Sequence, residues 1–495
     1  MRELQGLPIQ IADGNLITVP DSLMYLSTYV LLEQEDWFEK ELPFVRSFLT
    51  PGMRALDIGA NYGVYSVGIG KAVGPTGRVW AFEPSSGTLC FLRDTLAANA
   101  MAQVVVDDCA LSDRAGRGRL SVQANSELNS LGLGAGESSE DVRLDTLDGA
   151  VARHGIQGID FVKLDAEGEE ARIVAGGREF LRIEDPLVMF ELKHGRIVNT
   201  ELLGCFRAAG YGLFRLVGPS SLLVPVTETE ETALDGFELN LFACKASRAA
   251  ALERQGLLLT ARPPLVGGEP GAGLACVERQ PFATARRRDG ILSDSALSQA
   301  LDAYALWRQN GLAAATRYGA LLWALQRLEG EATIGPSVAV LSLLARVALD
   351  AGSRSRAVQI LNVMLNEAAR GSLETADPTW PAAAQYDSVA VVSDRGNWLV
   401  AATAEAMISS SSFSAYFSGA SMLAPLDWLH ASPYASAHME RRRQLQQLQA
   451  KRTESIQSIP CLANAGPGHC NTEFWRRAAA ENTTMPASLM RPLRA

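Results

Sequence analysis

With 495 residues, 47% hydrophobic and 20% charged, the chain has the composition of a soluble globular protein and is too long for one core, so two or three domains are expected. A net charge of −10 argues against a general binder of nucleic acid or anionic membrane, no apolar run reaches the ~20 residues of a bilayer span, and the N-terminus lacks a signal peptide's basic start and apolar core. Seven scattered cysteines, an odd number, point to reduced thiols and a cytoplasmic location.

Residues 1–50 read as a helical lead-in, with "YVLLEQEDWFEKELPFVRSFL" forming helices laid against a sheet. Over 51–246, short β-rich runs alternate with helical patterns. "RALDI" (54–58), "RVWAFE" (78–83), "QVVVDD" (103–108), "IDFVKLD" (159–165) and "PLVMFEL" (186–192) are strands bounded by turn signals, with "YSVGIGKAV" and "SSGTLCFLRDTLAANA" as helices between the first three. This alternation predicts an α/β fold, a doubly wound parallel sheet covered on both faces, closed by two further strands in "GYGLFRLV" and "ELNLFACK". Residues 247–290, rich in Pro, Gly and Arg, read as a linker. From 291 to 495 the chain is mostly α-helical. "VAVLSLLARVALDAGSRSRAVQILNVML" gives two helices joined at Gly352, with Ala345 and Ala357 where they could touch, and Ala303 and Ala315 repeat that spacing. A tetratricopeptide-like pair and a plain helical bundle both fit. "HMERRRQLQQLQAKR" (438–452) reads as a solvated basic helix face.

The chemistry starts in "ALDIGANYGVYS" (55–66), where a loop leaves the carboxyl end of the first strand, the place where open α/β sheets bind ligands. Its spacing, D-x-G-x-x-x-G, lacks the three glycines that bring a pyrophosphate onto a helix N-terminus, so an NAD enzyme ranks low. Asp57 at the mouth of Gly59, Ala60, Asn61 and Gly63 suits a cationic head, such as the amino group and sulfonium of S-adenosylmethionine. Glu83, ending the second strand ahead of Pro84, can take both ribose hydroxyls. Either carboxylate alone reads equally well as a helix cap or a solvated strand end; the pair at this spacing favours an adenosyl ligand. Asp108, Cys109 and Ala110 follow the third strand, where an adenine edge or a plain turn fits.

These segments, with "LDTLD" (144–148) and "IDFVKLDAEGEEARIVAGG" (159–177), resemble the FkbM-like family of S-adenosylmethionine-dependent methyltransferases over about residues 45–245. The resemblance implies a class I methyltransferase (Rossmann-like) fold that transfers a methyl group to oxygen, with sugar or glycan hydroxyls and related natural-product scaffolds as acceptors. Ala166 stands where family sequences often carry Val.

The fourth strand ends at Asp165 with Glu167 two residues on; the fifth ends at Glu191 with His194 close behind. These four are the candidate catalytic residues: His194 or Asp165 as base or orienter, with Glu167 and Glu191 holding acceptor hydroxyls. Asp165 also faces the methyl donor. Two or three of the oxygens could instead hold Mg²⁺, although no metal site is written in the spacing. Lys163 reads as a strand residue with a packed stem. Cys461, His469 and Cys470 lack the second ligand pair of a zinc site. The rival to an enzyme is a non-catalytic scaffold with a vestigial methyltransferase domain, its C-terminal helices binding a protein partner.

Overall fold

A computed structural model describes residues 5–122, 130–131, 138–194, 197–218, 221–231, 234–283, 295–371, 373, 375, 377–392, 394–450, 457, 459–464 and 469–480. The chain divides into two compact units. One gathers the described residues of 1–215, 239–250 and 444–495, the other those of 216–238 and 251–443.

The sheet strands of the first unit are, in chain order, β1 Arg54–Ile58, β2 Arg78–Phe82, β3 Val104–Asp107, β4 Phe161–Leu164, β5 Leu187–Glu191, β6 Gly212–Val217, whose last two residues are counted with the second unit, and β7 Asn240–Cys244. They lie side by side as β6-β7-β5-β4-β1-β2-β3, all parallel except β7, which is antiparallel to both neighbours. The order reverses between β4 and β1, so a crevice opens there at the carboxyl ends of the strands. Ala55, Leu56, Val79, Phe82, Phe161, Val162, Leu187 and Phe190 are all buried, as residues must be in parallel strands covered on both faces. Helices Val64–Val73 and Ser86–Ala98 make the first two crossovers.

Three features of this unit depart from the sequence-based expectation. Residues 5–20 are not helical: Gly6–Gln10 and Leu16–Pro20 form an antiparallel hairpin, followed by helices Leu26–Gln34 and Glu41–Phe48. The hairpin is tied to helix Ser86–Ala98, with the Thr18 amide donating to Thr95 Oγ1 at 2.9 Å and the Leu16 amide to Asn99 Oδ1 at 2.9 Å. Between β3 and β4 lies a small second sheet of Ala110–Ser112, Gly116–Val122, Ser130–Leu131 and Ser138–Thr146. Finally, part of the supposed helical C-terminal domain belongs here: Asn471 exchanges hydrogen bonds with the Gln10 backbone, accepting its amide at 3.1 Å and donating to its carbonyl at 2.7 Å. His469 is buried, with Nδ1 2.7 Å from Glu35 and Nε2 2.7 Å from the Leu462 carbonyl.

The second unit is mostly helical. Helices Ala296–Trp307 and Ala314–Ala332, then Val338–Asp350 and Arg354–Arg370, follow the expected plan, and Gly352 turns the second pair at φ +77°. Ala303, Ala345 and Ala357 are buried, but Ala315 is exposed, and Ala320 and Ala324 take the buried positions instead. The expected linker is not one. Leu258, Leu259, Val277 and Phe282 are buried, and Asp302 receives the Gly271 and Gly273 amides at 3.2 and 2.7 Å; residues 284–294 lie outside the described set. The basic stretch after His438 is covered rather than solvated: Arg441, Arg442 and Arg443 are buried, Arg442 donating to the Ile408 carbonyl and Arg443 to Asp427. No helix among the described residues is long and apolar enough to cross a membrane.

Candidate functional site

The loop after β1 alternates left-handed residues: Gly59 at φ +81°, Asn61 at +48° and Gly63 at +90°. Glycine is required at 59, where a Cβ would stand 1.7 Å from the Asp165 carbonyl oxygen, and at 63, where it would meet Leu92 at 2.7 Å. The Gly59 and Ala60 amides both donate to the Phe82 carbonyl at 3.0 Å. Glu83 completes the wall. One carboxylate oxygen accepts the Asn61 amide and the other the Ser85 amide, each at 2.9 Å. Burial pushes the Glu83 carboxyl up to about 7, against the pull of those two amides.

This loop borders a cleft in the first unit. Phe82, Pro84, Cys109, Leu111 and Leu120 supply apolar lining, Leu120 coming from the small second sheet. Lys163, Asp165, Ala166 and Glu167 also line it, with Tyr65 and, from the N-terminal segment, Ser27 and Trp37. Tyr65 donates to Glu39 at 2.5 Å.

Of the residues singled out in the sequence, Gly59, Ala60, Asn61, Glu83, Pro84, Cys109, Ala110, Asp165 and Glu167 border this cleft. Four do not. Asp57 is wholly buried beneath it, accepting the Ser66 hydroxyl at 2.5 Å and lying 3.8 Å from Lys163 Nζ. Gly63 serves the packing of its helix against Leu92. Asp108 is 61% exposed and pairs with Arg143 at 3.1 Å. Glu191 is half-buried off the cleft, its carboxyl held far above the usual range by burial and by the charges of Asp165, Glu167 and Glu170. His194 lies in a two-residue strand paired with Ile197–Val198, and its side chain is outside the described set.

The sequence reading missed Lys163. In register beside Asp57 on the neighbouring strand, its ammonium is 3.0 Å from Asp165 Oδ2 and 3.0 Å from the Gly59 carbonyl, and it lies 5.2 Å from the centre of the Tyr65 ring. Burial opposes its charge, but Asp165 and Asp57 outweigh burial and keep it protonated. Oxygens of Asp165, Glu170 and Glu191 converge within 4.8 Å of one another, the one such trio among the described residues. Glu170 is already engaged there, accepting the Ala166 and Gly168 amides at 2.8 and 3.1 Å. The Lys163 ammonium offsets part of the negative charge of this cluster.

Comparison with known proteins agrees with the residues that build the loop. A family model described as the methyltransferase FkbM domain matches residues 57–213. The chain is 32% identical to 31-O-demethyl-FK506 methyltransferase FkbM of Streptomyces tacrolimicus, over 26% of this chain and 60% of that one. It thus spans less than two thirds of that relative's length. Among solved structures, methyltransferase FkbM of Methylobacillus flagellatus is 18% identical, with 39% and 43% of the two chains covered and a TM-score of 0.27. An S-adenosylmethionine-dependent O-methyltransferase of Thermotoga maritima is 13% identical, with 50% and 94% covered and a TM-score of 0.28. Scores this low carry no weight for the fold, which rests on the strand order.

Proposed function

We propose, from the premise that residues 57–213 belong to the methyltransferase FkbM family, that the chain is an S-adenosylmethionine-dependent O-methyltransferase acting on a hydroxyl of a sugar, glycan or related natural-product acceptor. The observation that carries this reading is Glu83: a buried carboxylate fixed by two amides at the end of β2, beside a glycine loop at the sheet's switch point. Its remaining lone pairs suit the paired hydroxyls of a ribose. The apolar lining of Phe82, Pro84, Leu111 and Leu120 suits an adenine ring. When bound, the donor supplies a methyl group on a cationic sulfonium.

The chain's own residues then have two tasks. Holding donor and acceptor in line is worth up to ~7–11 kcal/mol, whereas a positioned base contributes typically ~10²–10⁴-fold, so positioning outweighs basicity. Asp165 is our choice of proton acceptor: it borders the cleft, is partly exposed, and its oxygen is oriented by Lys163 at 3.0 Å. Glu167 holds acceptor hydroxyls beside it. Trp37 supports a sugar, since an indole offers an apolar face to the C–H side of the ring while neighbouring carboxylates accept its hydroxyls. The name of the Streptomyces relative places its methyl group on an oxygen, and we carry that atom type over to this chain.

Calorimetric titration of the full chain with S-adenosylhomocysteine tests the donor site, and absence of binding heat sinks the proposal. Methyl incorporation from labelled donor into a panel of glycans tests the acceptor. Incorporation restricted to amines or thiols overturns the hydroxyl assignment.

A further inference from the structure

Lys163 borders the cleft, and its charge is opposite to that of every other charged group there. The charged side chains bordering the cleft are Glu83, Asp165, Glu167, Glu169 and Lys163, so among the described residues Lys163 is the one cation on its wall. The amino-acid end of S-adenosylmethionine is a zwitterion, carrying an α-ammonium and an α-carboxylate. The ammonium has a choice of carboxylates. The α-carboxylate, brought into an acidic cleft, has one oppositely charged side chain to meet.

Asp57 cannot receive the ammonium directly, as it is wholly buried and does not border the cleft. The corner it was expected to offer is filled by Lys163, whose Nζ donates to the Gly59 carbonyl at 3.0 Å. Two of the three ammonium protons are spoken for, by Gly59 and Asp165, while Asp57 Oδ1 stands at 3.8 Å, beyond hydrogen-bonding reach. Lys163 therefore keeps one ammonium proton for a ligand, in a cleft whose other charged side chains are all carboxylates.

We infer that Lys163 is the anchor for the α-carboxylate of the methyl donor. This rests on the donor reading above and deepens it. Lys163 would discriminate among adenosyl thioethers by their carboxylate, rejecting those that lack one.

The test uses the full chain and two ligands, S-adenosylhomocysteine and its decarboxylated analogue, which lacks only the α-carboxylate. Wild type is expected to bind the analogue roughly 10- to 100-fold more weakly, the range of a charge-assisted hydrogen bond. Lys163→Met should lose a comparable factor for S-adenosylhomocysteine yet bind the analogue within about threefold of wild type, because the contact is already missing. Equal loss for both ligands makes Lys163 a purely structural residue and overturns the inference, as does no loss for either. The wild-type comparison needs no variant to fold, and equal affinity for the two ligands is also fatal. If wild type binds neither ligand, the donor reading itself fails, an outcome distinct from equal binding of both.

Discussion

Glu83 and Asn61 are joined by a 2.9 Å hydrogen bond from the Asn61 amide to the Glu83 carboxylate, so the loop after β1 and the end of β2 are closed by one side chain. Because the same carboxylate also holds the Ser85 amide, its charge state bears on the shape of the cleft as well as on its ligand.

The first prediction concerns pH. Burial brings the Glu83 carboxyl to about 7 in the free protein, and ribose hydroxyls donating to it favour the ionised form. The ionised form is lost as pH falls through 7, so S-adenosylhomocysteine affinity should decline below that pH by up to about tenfold per unit. Glu83→Gln should weaken binding about 10- to 100-fold and flatten this dependence. Titrations from pH 6 to pH 8 check both; a flat wild-type profile contradicts the assignment.

A pair of glycines separates strain from collision. Gly155→Ala places a Cβ at φ +62° with nothing within 4 Å, so it should cost only the left-handed penalty of about 1–2 kcal/mol. Gly59→Ala adds a Cβ 1.7 Å from the Asp165 carbonyl at φ +81°, so it should cost clearly more and abolish S-adenosylhomocysteine binding. Urea unfolding and calorimetry of the two variants decide it. Equal stability of the two would be incompatible with the observed packing.

Glu191 should make the protein lose stability toward alkaline pH. Its folded-state pKa is raised by burial and neighbouring carboxylates, so its contribution is full below the unfolded value and drains away as pH rises toward the folded one. Glu191→Gln removes this drain and should gain on wild type between pH 5 and pH 8, by at most ~1.4 kcal/mol per unit. Thermal unfolding midpoints across that range provide the measurement, and parallel curves would refute it.

Asn471 should stabilise the first unit from 461 residues away along the chain. Asn471→Ala removes both hydrogen bonds to the Gln10 backbone and leaves that amide and carbonyl without them, at a cost of about 1–3 kcal/mol. Hydrogen exchange in the hairpin should rise. Unchanged protection there would show that the contact does not hold the hairpin in place.

The sheet was legible because its strands are continuous apolar runs ending at turns, a local pattern. The hairpin was legible too, in principle: "LPIQIADGNLITVP" carries an Asp13-Gly14 turn between β-rich runs, a signal that the helical reading passed over. Lys163 was not. A single lysine in "DFVKLD" looks like a snorkelling strand residue, and only strand pairing brings Asp57, 106 positions earlier, alongside it. The same pairing turned Asp57 from a presumed ligand contact into a buried partner. The arginines after His438 read as a solvated face because their carbonyl and carboxylate acceptors, Ile408 and Asp427, are supplied by other helices. The linker reading rested on composition, which says nothing of Asp302 receiving two amides from the glycine-rich turn.

The return of the described residues of 444–480 to the unit that carries the cleft makes the helical unit, in sequence terms, an insertion within it. During synthesis the ribosome releases the hairpin, the glycine loop and the whole sheet long before Asn471 emerges to fasten Gln10. Completion of the cleft-bearing unit is thereby postponed until residue 471 has been made, and a fragment truncated near residue 250 would lack the residues that meet Glu35 and Gln10.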